Sequence, residues 1–146
     1  MGNRVFVTGI GAITPIGTGR DGLWKGALEG RRGVKAIDRF DASIFRSQVA
    51  GQVDDFDPSS LLSRREAQRT DRYSQFAIAA GQMAFDDSGY VPSGDDGDFG
   101  VWIGSALGGA AFAEGQFNNF YTKGPKAVSP IPVSYTHLTL PTNREV

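Results

Sequence analysis

A short apolar run followed by a glycine-rich loop, close to the start of the sequence, most constrains what this chain can fold into. Val5, Phe6 and Val7 are adjacent and either β-branched or aromatic, which predicts a strand buried on both faces of an α/β layer. Residues 8–17 then contain three glycines and a proline. Glycine allows close backbone approach and proline stops a helix. A buried strand is therefore expected to leave the core here and enter a long loop.

A dinucleotide-binding fold also begins with a strand and a glycine-rich loop, but the spacing here does not fit that class. The fingerprint G-x-G-x-x-G places its third glycine where the helix packs on the strand. Gly9 and Gly11 fit the first two positions, whereas the third is Thr14 and is followed by Pro15. The short-chain dehydrogenase variant fails as well, because Ile13 stands at its next glycine position. We therefore predict no nucleotide cofactor.

Composition limits the remaining classes. The 146 residues suffice for one domain, and a net charge of −1 with 21% charged residues gives no sign of nucleic acid or membrane partners. The absence of cysteine excludes a disulfide framework, a cysteine-ligated metal and a thiol nucleophile within these residues. We predict no metal site. With no signal-peptide pattern and no apolar run long enough to cross a bilayer, the expected location is the cytoplasm.

Hydrophobic periodicity predicts four helices and two further strands. The helices are residues 21–29, 59–69, 71–88 and 110–123, and the strands are residues 49–53 and 99–103. Small residues dominate one face of the 71–88 helix, which predicts close packing against a neighbour. Residues 34–45 are expected to be irregular and 90–98 to be a surface loop. Because strand, glycine-rich turn and helix occur twice, the pattern favours α/β layers with a largely parallel sheet.

Two candidate sites are rejected on spacing. A serine hydrolase would use Ser105 in a G-x-S-x-G turn, but Gly104 directly precedes it and the next glycine is three residues away. The only histidine, His137, lies far along the chain. The aspartate pairs at 54–55 and 86–87 are sequence neighbours at element ends, and we interpret both pairs as solvated.

Arginines recur along the predicted 59–69 helix. Arg65, Arg69 and Arg72 share one face if the helix is continuous. Such a stripe is either a solvated face or a docking surface for an acidic partner, and spacing alone leaves both interpretations open.

Four motifs, in order, carry a family resemblance. They are VTGIGAITPIG at 7–17, RFDAS at 39–43, SRREA at 63–67 with DRYSQFA at 71–77, and IGSALGG at 103–109. KGPKAVSP at 123–130 continues the series. Together they resemble the N-terminal part of a type II, elongating β-ketoacyl-acyl-carrier-protein synthase over about residues 3–131. The resemblance implies a thiolase-like, layered α/β/α/β/α fold, of which this is an incomplete N-terminal part, and a homodimer that uses acyl carrier protein and no cofactor.

The resemblance also implies a chemistry that this chain cannot complete. The family condenses malonyl-carrier protein, with loss of CO₂, onto an acyl group held as a thioester on an enzyme cysteine. The cysteine and the two catalytic histidines of the family lie beyond the matched region, so no catalytic residue is assigned here. Residues 1–133 are expected to form the truncated ketosynthase part. Residues 134–146 depart from the family pattern and look like translated non-coding sequence.

Some functional positions do carry over by resemblance. Arg65, Arg69 and Lys126 match basic positions that face the acidic carrier protein, whereas Gln68 replaces a residue that is usually basic. Leu107 matches an apolar position that gates the acyl pocket, although a plain core leucine would look the same. Two other functional classes stay open. One is a catalytically silent, chain-length subunit of polyketide synthesis, and the other is a truncated fragment with no function of its own.

Overall fold

The structure is a computed structural model that describes residues 2, 4–91, 100–105 and 108–129. The described residues fall into two compact units, which we treat separately. The first unit draws on Met1–Leu61 and Phe76–Ser93, and the second on Leu62–Gln75 and Gly94–Val146. The division between the units falls within one long helix, whose residues up to Gln75 belong to the second unit and whose residues from Phe76 onward belong to the first.

The first unit begins with two small antiparallel sheets that flank a helix. Its elements are β1 (Ile13–Thr14), β2 (Gly17–Thr18), α1 (Gly19–Leu28), β3 (Val34–Ala36), β4 (Val49–Gly51) and a 3₁₀ helix at Pro58–Ser60. β1 pairs with β2 and β3 pairs with β4, both antiparallel. The predicted helix at 21–29 and the predicted strand at 49–53 are confirmed with shifted ends. β3 lies where an irregular segment was expected, because its pairing with β4 is not visible in local sequence.

Of the remaining predicted helices, those at 71–88 and 110–123 are confirmed, whereas the one at 59–69 is α-helical only over its last six residues. They are α2 (Arg64–Arg69), α3 (Arg72–Ser88) and α4 (Ala110–Lys123), with a 3₁₀ helix at Pro125–Ala127. Gly89 directly follows α3 and Gly124 directly follows α4, with φ of 64° and 84°. Only glycine adopts such values readily, so it is the expected residue at a helix end. No helix within the described ranges is both long and apolar enough to cross a membrane.

The glycine-rich loop packs directly on the backbone of α3, as the small residues of that helix predicted. A Cβ added at Gly9 would lie 2.8 Å from Ser88 Cβ, and one added at Gly11 would lie 2.8 Å from the carbonyl carbon of Ala80. Both positions would also overlap a carbonyl oxygen of α3. The loop therefore needs glycine at these positions to reach the helix.

The two predicted buried strands are wrong. Val5 is 92% exposed and Trp102 is fully exposed, and residues 4–8 and 100–103 adopt no regular structure. A strand buried on both faces needs neighbouring strands for its amides and layers over its faces. The two sheets of the described residues include neither segment, and both are antiparallel pairs in place of the expected parallel sheet. The sequence pattern identified both segments as apolar, but it could not show whether neighbouring strands are present to bury them.

Asp87 is also not solvated as predicted. Its carboxylate accepts a hydrogen bond of 3.0 Å from the amide of Ile10 and pairs with the guanidinium of Arg20. The side chain of Asp87 is only 18% exposed. It therefore joins the end of α3 to the opening loop and to α1. This second anchor lies beside the glycine contacts and fixes the loop on the helix.

Candidate functional site

The candidate docking residues lie on two elements of the second unit. Arg65 is exposed on α2, and Arg69 is the last residue of that helix. α2 ends at this point and α3 begins at Arg72, so the helix is not continuous. The condition for the predicted arginine stripe therefore fails, and Arg72 does not share a helical face with Arg65 and Arg69.

A side chain of α3 forms hydrogen bonds across the break between α2 and α3. Gln75 Nε2 donates hydrogen bonds of 2.9 Å to the carbonyl oxygen of Ala67 and of 3.1 Å to that of Thr70. The last carbonyl groups of a helix have no partner within that helix, so Gln75 satisfies groups that α2 leaves open. α2, which carries Arg65, is thus hydrogen-bonded at its end to the first turn of α3.

Lys126 is presented by a short structured segment after α4. It is exposed in the 3₁₀ helix Pro125–Ala127, which begins directly after the left-handed glycine that ends α4. Downstream, the amide of Ser129 donates a 2.7 Å hydrogen bond to Oε1 of Gln116, within α4. The segment is therefore tied to the helix on both sides of Lys126.

The structure describes both ends of the turn that is expected to carry the acyl-pocket residue, namely residues 104–105 and 108–109. Leu107 itself lies outside the described residues, as do His137 and the whole segment 134–146. At Gly108, an added Cβ would lie 2.8 Å from the ring of Tyr73 and 2.8 Å from Ser105 Oγ. The turn thus lies against the side chain of Tyr73, and a side chain at residue 108 would require Tyr73 and Ser105 to move.

Two polar groups of this region were missed by sequence reasoning. Asp71 Oδ2 and Ser74 Oγ are buried and have no hydrogen-bond partner among the residues that the structure describes, and Ser74 as a whole is 2% exposed. Buried polar groups in native structures nearly always have a hydrogen-bond partner, so two unsatisfied groups in one region require an explanation. The signal available in the sequence was an aspartate at the start of the predicted 71–88 helix, because aspartate is a preferred N-cap residue.

One cluster of titratable groups with shifted pKa values lies elsewhere, at the β3–β4 hairpin. Lys35 Nζ lies 2.8 Å from Asp38 Oδ2 and 2.7 Å from Asp54 Oδ2. Hydrogen bonds from Lys35 and then from Gln52 lower the pKa of Asp38, while those to Asp38 and Asp54 raise the pKa of Lys35. Both pKa values move away from neutrality, so these residues suit an ion-pair cluster better than acid–base catalysis. Over the described ranges, no group of three or more acidic, histidine or cysteine side chains could hold a metal ion.

A family model and several curated relatives match most of the chain. The model of the "Beta-ketoacyl synthase, N-terminal domain" matches residues 2–143. The 3-oxoacyl-[acyl-carrier-protein] synthase 2 of Synechocystis sp. is 44% identical over 131 residues, 89% of this chain and 32% of that protein. The granaticin polyketide putative beta-ketoacyl synthase 2 of Streptomyces violaceoruber is 39% identical over 128 residues, 86% of this chain and 31% of that protein. The chain thus spans about a third of the length of these relatives.

Solved structures agree with this match. The ishigamide ketosynthase/chain length factor superposes with a TM-score of 0.69 at 30% identity, covering 87% of this chain and 32% of that one. A β-ketoacyl synthase from Burkholderia phymatum superposes with a TM-score of 0.58 at 23% identity, covering 88% of this chain and 32% of that one. At that identity the second match supports the fold alone. The mixed α/β arrangement is therefore shared with about a third of each ketosynthase structure.

Proposed function

The chain belongs to the β-ketoacyl synthase family through its N-terminal domain, and on that basis we propose that it is the N-terminal part of an elongating 3-oxoacyl-acyl-carrier-protein synthase. The observation that carries the proposal is the 44% identity to the Synechocystis protein over 89% of the chain. A layered, thiolase-like fold is proposed for the longer protein.

The proposed reaction is a decarboxylating condensation. An enzyme cysteine holds the acyl group as a thioester, and malonyl-carrier protein loses CO₂ to give a carbanion at its α-carbon. That carbanion attacks the thioester carbonyl, so a carbon–carbon bond forms, the carbon–sulfur bond breaks and the cysteine leaves as thiolate. Donors at the carbonyl oxygen stabilise the tetrahedral intermediate. This chain contains no cysteine, so by itself it is proposed to be inactive.

The part assigned to this chain is carrier-protein docking and the start of the acyl pocket. We assign docking to Arg65, Arg69 and Lys126. The exposure of Arg65 and of Lys126 on elements of one unit supports this role. The acyl-pocket role is assigned to Leu107 on the basis of the family motif alone. Homodimer formation and a cytoplasmic location are proposed for the longer protein. For residues 134–146 we keep the proposal that they are not genuine family sequence, although the family match extends to residue 143.

A second candidate function is a catalytically silent subunit that sets chain length in polyketide synthesis. It is favoured by the similarity of this chain to the ishigamide ketosynthase/chain length factor and to the granaticin polyketide putative beta-ketoacyl synthase 2. The two candidates share the residues of this chain and differ at the nucleophile position downstream.

The deciding experiment is to sequence the coding DNA beyond codon 133 and to assay the longer protein. We expect a cysteine at the nucleophile position, and CO₂ release from malonyl-carrier protein that depends on an acyl primer. A substituted nucleophile without condensation would favour the silent subunit. Genuine reads that span codons 133 and 134 would refute the proposal for the tail. If the coding DNA yields no longer protein and the 146-residue chain does not unfold cooperatively, the result would indicate a non-functional fragment.

A further inference from the structure

The loop between β3 and β4, residues 37–48, is an ordered part of the hairpin. A 2.9 Å hydrogen bond from the amide of Ile37 to the carbonyl oxygen of Gln48 closes the loop directly beyond the paired strands. Inside the loop, the amide of Phe45 donates a 3.0 Å hydrogen bond to the carbonyl oxygen of Ala42, which is buried. These bonds hold the loop in a defined shape, so the side chains that it exposes form a defined surface.

Three large apolar side chains of this loop are exposed to solvent. Ile44 is 84% exposed, and Phe40 and Phe45 are each more than half exposed. The rings of Phe40 and Phe45 contact each other edge to face, with their centroids 6.0 Å apart. Grouped apolar side chains on a surface mark an interaction site, whereas single ones are ordinary. We call Phe40, Ile44 and Phe45 together the apolar tip.

The charge around the apolar tip is positive. Residues 31–49 contain five basic and two acidic side chains, a formal net charge of +3, which the net charge of −1 for the whole chain conceals. Both acidic side chains accept hydrogen bonds from the hairpin itself. Asp38 accepts one of 2.8 Å from Lys35, and Asp41 accepts one of 3.0 Å from the amide of Ser43. The excess of positive charge therefore faces an external partner, which must be anionic.

Two arginines flank the apolar tip in sequence. Arg39 directly precedes Phe40, and Arg46 directly follows Phe45. One nitrogen of Arg39 donates a 3.0 Å hydrogen bond to the carbonyl oxygen of Val53, which holds its exposed side chain in place. Arg46 is exposed, and within the part of the chain that the structure describes its side chain forms no hydrogen bond or ion pair. Guanidinium groups bind phosphate through parallel hydrogen bonds, so Arg46 is available for an anionic phosphate group.

We propose that the β3–β4 loop attaches this chain to the surface of an anionic phospholipid membrane. The apolar tip enters the boundary between headgroups and acyl chains, while Arg39 and Arg46 stay at the level of the phosphate groups. A lipid surface fits these observations better than a folded protein does, because an outward-facing apolar tip enters a deformable layer without needing a matching groove. The attachment is peripheral and reversible, and it does not depend on the proposed function.

The test makes use of the absence of cysteine from the chain. Ile44→Cys in the 146-residue chain is labelled with a polarity-sensitive fluorophore and mixed with vesicles of phosphatidylcholine, with or without an equal part of phosphatidylglycerol. We expect a blue shift with the anionic vesicles only, and it should decrease as salt is added. Inorganic phosphate should cause no shift, because it offers no apolar layer. Val7→Cys, labelled in the same way at a similarly exposed position, is the matched control and should not respond.

Unlabelled variants separate the apolar from the electrostatic contribution in vesicle sedimentation. Arg46→Glu should weaken binding to the anionic vesicles by at least about fivefold, the effect of one basic residue near such a surface. Phe45→Ser should weaken binding as well, whereas Lys25→Glu, on the exposed surface of α1, should have a much smaller effect.

Three results would overturn the inference. They are no shift of the fluorophore at position 44 with anionic vesicles, equal shifts at positions 44 and 7, and equal effects of Arg46→Glu and Lys25→Glu. A shift at position 44 with purified acyl carrier protein and none with vesicles would assign the apolar tip to an acidic protein instead. Failure of condensation in the longer protein would count against the proposed function alone.

Discussion

Asp87 and Ile10 are joined across 77 positions of the chain by a 3.0 Å hydrogen bond from the backbone amide of Ile10 to the carboxylate at the end of α3. The same carboxylate pairs with Arg20, at the start of α1. Three segments that are distant in sequence therefore meet at one side chain. Because this side chain is 18% exposed, solvent screens it less than an ordinary surface ion pair.

We expect Asp87→Ala to destabilise the chain by about 1–2 kcal/mol, because hydrogen bonds to a charged group contribute more than neutral ones and the Ile10 amide loses its partner. The measurement is urea denaturation at neutral pH. Asp86→Ala is the control, since Asp86 is exposed and, among the described residues, its side chain accepts a hydrogen bond only from Gln82 on its own helix. It should change the free energy of unfolding by less than about 0.5 kcal/mol. Equal effects of the two substitutions would contradict the role assigned to Asp87.

The contact of the glycine-rich loop with α3 makes a second prediction. Gly11→Ala should destabilise the chain by about 3 kcal/mol or more, because the added methyl group overlaps the backbone of Ala80, which cannot rotate away. Gly81→Ala, on the same helix, has open space around it and should stabilise the chain by about 0.5–1 kcal/mol. Thermal unfolding of both variants tests the pair. A tolerated Gly11→Ala would mean that the loop does not lie against α3.

Exposure of the first apolar run leads to a third prediction. Val7 is 83% exposed, so Val7→Ala should change the free energy of unfolding of this chain by less than about 0.5 kcal/mol. Burial in a sheet would instead make the loss about 1 kcal/mol or more. Denaturant unfolding of the 146-residue chain decides between these values. Because exposed apolar segments promote association, Val7→Lys should also reduce self-association, measured by sedimentation.

The ion-pair cluster of the β3–β4 hairpin predicts a pH dependence. Hydrogen bonds from Lys35 and Gln52 lower the pKa of Asp38 in the folded state below its ordinary value of 3.8. The folded state therefore binds fewer protons than the unfolded state between these two values. The stabilisation from Asp38 is thus fully present above pH 3.8 and is lost as the pH falls through the lowered pKa.

Acid unfolding of Asp38→Asn measures this contribution. The variant should be less stable near neutral pH and should lose less stability on acidification than the parent chain. Asp55→Asn is the matched control, because Asp55 is exposed and has no hydrogen bond or ion pair among the described residues. Parallel acid profiles for the parent chain and Asp38→Asn would contradict the predicted role of the cluster.

Local patterns in the sequence located the helices, two of them with shifted ends, but did not reveal the contacts between distant segments. α3 and α4 were predictable because apolar spacing is local and a glycine marks each end. The strand at Val34–Ala36 was not, because its pairing with Val49–Gly51 depends on a separate segment. For the same reason the burial of Asp87 was not predicted, because its hydrogen-bond partner Ile10 lies 77 positions away. The exposure of Val5 was not predicted either, because an apolar run does not show whether other strands cover it. The docking residues came from family motifs, and no local pattern could have assigned them.

The docking residues make the last prediction. Charge reversal at Arg65 should weaken binding of acyl carrier protein about two- to fivefold at low ionic strength, and charge reversal at Lys126 should do the same. The reason is that exposed ion pairs contribute about 0.2–1 kcal/mol. Adding Arg69→Glu should weaken binding further, and Gln68→Arg should strengthen it by restoring a positive charge at an exposed position. Isothermal titration with the carrier protein at two salt concentrations is the measurement, because these effects should shrink as salt screens them. Lys25→Glu, on the exposed surface of α1 in the other unit, is the control and should leave affinity unchanged. Unaltered binding after reversal of all three charges would reject this surface as the docking site.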